Sequence, residues 1–284
     1  MINVVVPMAG NGSRFAETGE VNPKPLIKVL HDKRMIEYVI DYLTLPEPHR
    51  FIFVCLDDHL RAFDLHHFFR ARTNDYELVV SKNVTRGPAV TALLAKDFID
   101  DGTELIIAYC DCFLTIDLAS LLQHARKRHA DGALITYPSH STMDAYAEID
   151  GDGHVLLTAE KEVISATAAA GCYYFREGRD FVAAAREMIA SQSNNHTEFF
   201  VCPAYNELIR RGKIVISHSI DRDQKIEMGT PEDLAKSRHW LMRQHGRFQH
   251  HATIAGAVGN GIPCKSDSTL SAQEKPQSLK TVIA

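Results

Sequence analysis

The chain has 284 residues, 45% hydrophobic and 24% charged, with 31 basic against 36 acidic side chains and a formal net charge of -5. That length can bury a full core and fits one large α/β domain or two small ones. The acidic balance excludes a general affinity for the nucleic-acid backbone, which needs a positive excess on one face. No apolar run of about 18 residues marks a membrane span, and no basic leader with a cleavage site precedes the first strand, so a cytoplasmic protein is expected.

Short β-branched runs recur along the chain: INVVVP (2–7), RFIFVCL (50–56), YELVVS (76–81), ELIIAYCD (104–111), GALITYP (132–138), HVLLTA (154–159), GCYYF (171–175) and KIVISHSI (213–220). Between them lie RMIEYVIDYL, AVTALLAKDFI, LASLLQHARKRH, DFVAAAREMIAS and CPAYNELIRRG, each with the three-to-four spacing of a helix that buries one face. Strand and helix alternate over residues 1–240, which predicts an α/β fold with a Rossmann-like, doubly wound, mostly parallel sheet and helices on both faces. Ligands of such sheets bind at the carboxyl ends of the strands. The rhythm breaks at about 133–175, where DGDG between EI and HVLL reads as a hairpin turn, predicting a small mixed or antiparallel element beside the sheet. After about residue 245 helical periodicity fades into a Gly-, Ser-, Thr- and Ala-rich stretch. The expected organisation is one domain over 1–244 and a poorly ordered extension over 245–284. The helix RMIEYVIDYL can pack on the core or on a second subunit, core packing being the commoner outcome.

The cysteines at 55, 110, 112, 172, 202 and 264 stand mostly singly in apolar segments, and Cys110 and Cys112 are spaced too tightly for a zinc knuckle. They read as reduced core residues. The histidines form no HExxH, which points to surface positions rather than a zinc site.

Chemistry concentrates first in AGNGSRF, directly behind the opening strand. A glycine-rich turn exposes backbone N–H groups that can take phosphate oxygens, yet the segment fits neither the Walker loop nor GxGxxG, and a plain tight turn explains it equally well. Arg14 and, between two prolines, Lys24 add cations that can grip a polyphosphate from two sides.

VVVPMAGNGSRF followed by NPKPLIKVLHDKRMIEYVIDYL resembles the signature of the sugar-1-phosphate nucleotidyltransferase, or NDP-sugar pyrophosphorylase, family. TRGPAVTAL, IIAYCDCF, AYAEI, AEKEVI, AAGCYYF, EFFVCPAYNELIRRGKIV and EMGTPEDL match its later segments in order, so the resemblance spans roughly residues 1–236. It implies transfer of NMP from an NTP to a sugar 1-phosphate, releasing pyrophosphate, with Mg²⁺ as cofactor. Its residues would be Ala9, Gly10, Gly12 and Ser13 at the triphosphate, Arg14 at the departing pyrophosphate and Lys24 at the α-phosphate. Gly87 and Ala89 would meet the base and Asp111 the metal. Tyr146, Ala147, Glu160, Gly171 and Glu198 would border the acceptor, and Lys161 would meet its phosphate. Glu227 stands where the family usually has an aspartate, so the second metal ligand is either a longer carboxylate or missing. EKE and AYCD depart from the usual EKP and LGD, which leaves a non-sugar phosphate acceptor, as in a cytidylyltransferase, as one alternative, and Glu227 leaves a non-catalytic binding protein as another. A glycosyltransferase is disfavoured because Asp111 is followed by Cys and Phe, with no second aspartate at the DxD spacing there.

Overall fold

The computed structural model describes residues 1–192, 198–255 and 279–282. Its strands are, in chain order, β1 (Ile2–Pro7), β2 (Lys28–Leu30), β3 (Lys33–Arg34), β4 (His49–Leu56), β5 (Tyr76–Ser81), β6 (Glu104–Ala108), β7 (Cys112–Leu114), β8 (Gly132–Pro138), β9 (Ala145–Ile149), β10 (Val155–Glu160), β11 (Thr167–Phe175), β12 (Val215–Ser219), β13 (Lys225–Glu227) and β14 (Leu279–Val282). The main sheet runs β10-β9-β11-β6-β1-β4-β5-β14, with β8 branching from β11 to pair with β12.

β1 is parallel to both β4 and β6, and β4 to β5. Both faces of β1 are covered: Ile2, Val4 and Val6 join one apolar cluster and Val5 the other. That is why its sequence is a continuous β-branched run rather than an alternating one. Helices Met35–Leu43 and Leu118–Lys127 cover the first face; Pro88–Leu93, Gly178–Gln192 and Tyr205–Arg210 cover the second. Met35, Ile36, Val39, Ile40 and Leu43 are all buried, so the first of these helices packs on the core as expected.

β11 runs antiparallel to β6, β8 and β9, and β9 with β10 forms the hairpin that DGDG predicts. Asp150 Oδ1 accepts the N–H groups of Asp152 and His154 and closes that turn. Two small ribbons complete the frame, β2 with β3 and β7 with β13.

Some elements differ from expectation. AVTALLAKDFI forms two helices, Pro88–Leu93 and Lys96–Ile99, because Leu94 and Ala95 donate to Thr91 and Ala92, tightening the chain between them. Helices Asp57–Phe63 and Leu65–Arg70, divided at Asp64 with φ 43, had no clear periodic signal. Helix Pro231–Ala255 continues across residue 244, and β14 lies parallel on β5. The rest of the expected extension, residues 256–278 and 283–284, lies outside the described residues, as does Cys264. Cys55, Cys112, Cys172 and Cys202 are buried and, with Cys110, free. His59 and His218 are half-buried rather than surface residues, and burial lowers the pKa of both. No helix among the described residues is long and apolar enough to cross a membrane.

Candidate active site

A cleft of about 800 Å³ opens where β1 and β6 end. There the chain leaves neighbouring parallel strands toward opposite sides of the sheet, because β1 continues to β4 on one flank and pairs with β6 on the other. Ala9, Gly10, Gly12, Ser13, Arg14, Lys24, Gly87, Asp111, Glu160, Lys161, Gly171, Glu198 and Glu227 all line it. Residues far apart in sequence are thus brought to one cavity.

On one side lies the loop after β1. Gly12 takes φ 60, and a Cβ there would come within 3.2 Å of Lys24 Cβ, so glycine favours both the left-handed turn and the close approach of the loop to the lysine. Among the described residues, the backbone N–H groups of Gly10, Asn11 and Gly12 are not bonded to another backbone group. Arg14 is exposed at the rim. Lys24 Nζ meets Asp111 Oδ2 at 2.5 Å. Burial alone would lower the lysine's pKa and raise the aspartate's. Their mutual charge outweighs it, so Lys24 is raised and Asp111 lowered, and both stay ionised.

Gly87 has φ 100, and a Cβ there would lie 2.5 Å from the Phe199 carbonyl oxygen. Phe199 N–H donates to the Arg86 carbonyl and Ala89 N–H to the Phe199 carbonyl, zipping the loop to the segment after Glu198. Ala89 is therefore fully buried with its N–H already used, and it does not reach the cleft.

On the other side, Glu160 ends β10 and Lys161 follows at φ 56, its N–H bonded to the Asp144 carbonyl. Burial pushes the Glu160 carboxyl up to about 7, and its Oε2 is buried without a hydrogen-bond partner. Lys161 Nζ lies 3.5 Å from Glu198 Oε2 and 4.6 Å from the centre of the Phe200 ring. Gly171 sits at a register shift in β11, where a Cβ would meet Cys112 Sγ at 3.2 Å and the Tyr109 ring at 3.3 Å. Side chains of the protein, as much as a ligand, would be crowded there.

Tyr146 and Ala147 do not line the cleft. They are fully buried in β9, with the Tyr146 hydroxyl donating to the Ser141 carbonyl. Asp144 and Ala145, just before them, face the cleft instead, because the chain turns inward where β9 begins.

Glu227 is brought to Asp111 by the β7–β13 ribbon, which pairs Glu227 with Cys112 while Met228 N–H donates to the Asp111 carbonyl. Gly229 leaves room at this point, since a Cβ there would stand 3.4 Å from Asp111 Oδ2. Two carboxylates beside such a space fit a hard divalent cation. A separate group, Asp150, Asp152 and His154, has ligand atoms within 4.8 Å of one another. It lies in the β9–β10 turn, and the hydrogen bonds that close that turn explain it.

The chain matches the nucleotidyl transferase family over residues 4–224. The chain belongs to the nucleotidyl transferase family. No curated protein matches it. Among solved structures, it resembles a nucleoside-diphosphate-sugar pyrophosphorylase from Vibrio cholerae RC9 at 26% identity and TM-score 0.69, covering 83% of this chain and 99% of that one. A putative glucose-1-phosphate thymidylyltransferase from Bacillus anthracis, in complex with a sucrose, shares the fold at 16% identity and TM-score 0.70, covering 84% and 95%.

The cleft of this nucleotidyltransferase also holds residues the sequence did not single out: Asp144, Tyr109, Phe200, Asp233 and Lys225. Lys225 Nζ is 2.7 Å from Glu227 Oε1, and Arg222 approaches the other oxygen, Oε2, at 3.4 Å. The i, i+2 spacing of Lys225 and Glu227 in KIE was the available signal, since alternate strand residues share a face.

Proposed function

We propose that this nucleotidyltransferase transfers NMP from an NTP to a sugar 1-phosphate, forming an NDP-sugar and pyrophosphate with Mg²⁺ as cofactor. The observation that supports it most is the sharing of one cleft. The glycine loop and the Lys24–Asp111 pair stand on one side, the Glu160–Lys161 pair on the other. The likeness to the Vibrio nucleoside-diphosphate-sugar pyrophosphorylase supports the same reading.

An acceptor phosphate oxygen attacks the α-phosphorus in line; the new O–P bond forms as the bond to the β-phosphate oxygen breaks, and pyrophosphate takes the electron pair. The reactants are anions, so the protein's work is to hold them close and neutralise their repulsion. The glycine-loop amides and Arg14 receive the leaving β- and γ-phosphates. Lys24 faces the α-phosphate, and Lys161 the acceptor's phosphate. Glu160 accepts from acceptor hydroxyls, supplying the partner its buried oxygen lacks. Asp111 and Glu227 would hold the magnesium ion, which supplies charge neutralisation at the phosphates. Gly87 borders the base.

A screen of NTPs against hexose 1-phosphates and non-sugar phosphate monoesters, reading pyrophosphate release with and without Mg²⁺, tests this. The expected result is metal-dependent release with one NTP and a sugar 1-phosphate. Release only with a non-sugar phosphate would overturn the sugar assignment, and binding without release would overturn the catalytic one.

A further inference from the structure

The cations lining the cleft among the described residues are Arg14, Lys24, Lys161 and Lys225. The reaction above gives tasks to the first three only. Lys225 is the most enclosed, with its side chain 9% exposed. Its ammonium donates to Glu227 Oε1 at 2.7 Å and to the Tyr137 hydroxyl at 2.9 Å, and lies 4.5 Å from the Tyr137 ring centre. Asp144 Oδ1 stands 3.9 Å away, beyond hydrogen-bond reach. An ammonium carries three N–H groups, so among the described residues one has no hydrogen-bond partner.

Position favours a ligand for that group. β13 carries Lys225 from the metal-side ribbon toward Tyr137 of β8 and Asp144 at the start of β9, where the Asp144 carbonyl in turn holds the Lys161 N–H. Lys161, through its backbone N–H, and Lys225, through its ammonium, therefore both lie against Asp144. Burying an ammonium costs several kcal/mol unless all its donors are satisfied, and a purely structural pairing with Glu227 would leave this one short. An anionic oxygen entering from the cleft completes the set.

We propose that Lys225 binds an anionic oxygen of the acceptor's phosphate from the cleft floor, with Lys161 above it, making Lys225 a specificity-determining residue for acceptor rather than nucleotide. The proposal rests on the nucleotidyl-transfer reading for the identity of that phosphate.

The test is titration of inorganic phosphate by calorimetry into the full-length wild type, Lys225→Met, Lys225→Gln and Lys28→Gln. Affinity should fall at least tenfold in both Lys225 variants and change less than threefold in Lys28→Gln, an exposed lysine paired with Asp32 and outside the cleft lining. Gln can still donate to Glu227 and Tyr137, so it carries the test if Met unfolds the protein. Unchanged affinity in the Lys225 variants, an equal loss in Lys28→Gln, or no phosphate binding by the wild type would overturn the proposal. For any acceptor that turns over, Lys225→Gln should raise acceptor KM tenfold with NTP KM within twofold; an equal rise in both overturns it. Absence of turnover with every acceptor refutes the proposed function separately, and the phosphate titration still decides the role of Lys225.

Discussion

The two sides of the cleft are stabilised in opposite ways. On the nucleotide side, charges are matched inside the protein: Lys24 and Asp111 pair at 2.5 Å, and each keeps the other ionised against burial. On the acceptor side the matching is incomplete. Glu160 is held near pH 7 by burial, with one oxygen unpartnered, and Lys161 is left partly exposed beside Glu198. A prematched pair gives a rigid, general phosphate site, whereas an unsatisfied carboxylate is a demand that only an acceptor of the right shape fulfils. On the proposed reading, the nucleotide side would carry the reaction and the acceptor side the choice of substrate.

The strongest way to break this contrast is on the nucleotide side. Asp111→Ala should lower turnover about a hundredfold or more, comparable to the roughly 2.7–4 kcal/mol lost with an oxyanion donor, while circular dichroism still shows a folded protein. Near-normal pyrophosphate release would remove Asp111 from the chemistry. Gly87→Ala comes next: with φ 100 and a Cβ 2.5 Å from the Phe199 oxygen, it should cost about 1–3 kcal/mol in urea unfolding and unzip the loop from Phe199. Unchanged stability would mean that the loop is not held as described.

The smallest effect sharpens the acceptor side. Glu160 has a folded pKa of about 7 against 4.5 for the free group, so its contribution is fully present below about pH 4.5 and lost as pH rises through 7. Glu160→Gln should therefore be more stable than the wild type by about 1–3 kcal/mol at pH 8 and gain nothing at pH 4. Urea unfolding at both values checks this. A pH-independent difference would show that the carboxylate is already satisfied.

Much of the nucleotide side was legible because it is local. AGNGSRF and NPKP lie within twenty residues, and Asp111 follows directly from a strand whose apolar run announces it. The acceptor side was legible only in part. The Glu160–Lys161 pair was found, but Tyr146 and Ala147 turned inward and Asp144 and Ala145 took their place, because where a strand begins decides which residues face the cleft. Ala89 was displaced by a contact with Phe199, 110 positions away, that no local pattern encodes. Lys225 was not singled out in the sequence, and it is the pairing of β13 with β7 that brings it to the cleft.

The sequence by itself determined the alternating α/β plan, the buried β1 and the glycine loop with Lys24. Hydrophobic periodicity and the backbone demands of glycine and proline act over a few residues, so they are written locally. The tertiary structure alone decided which charges meet: Lys24 with Asp111 across 87 positions, Lys225 with Tyr137 across 88. Electrostatic pairing depends on distance in space and on burial, and both are set only when the strands take their places in the sheet.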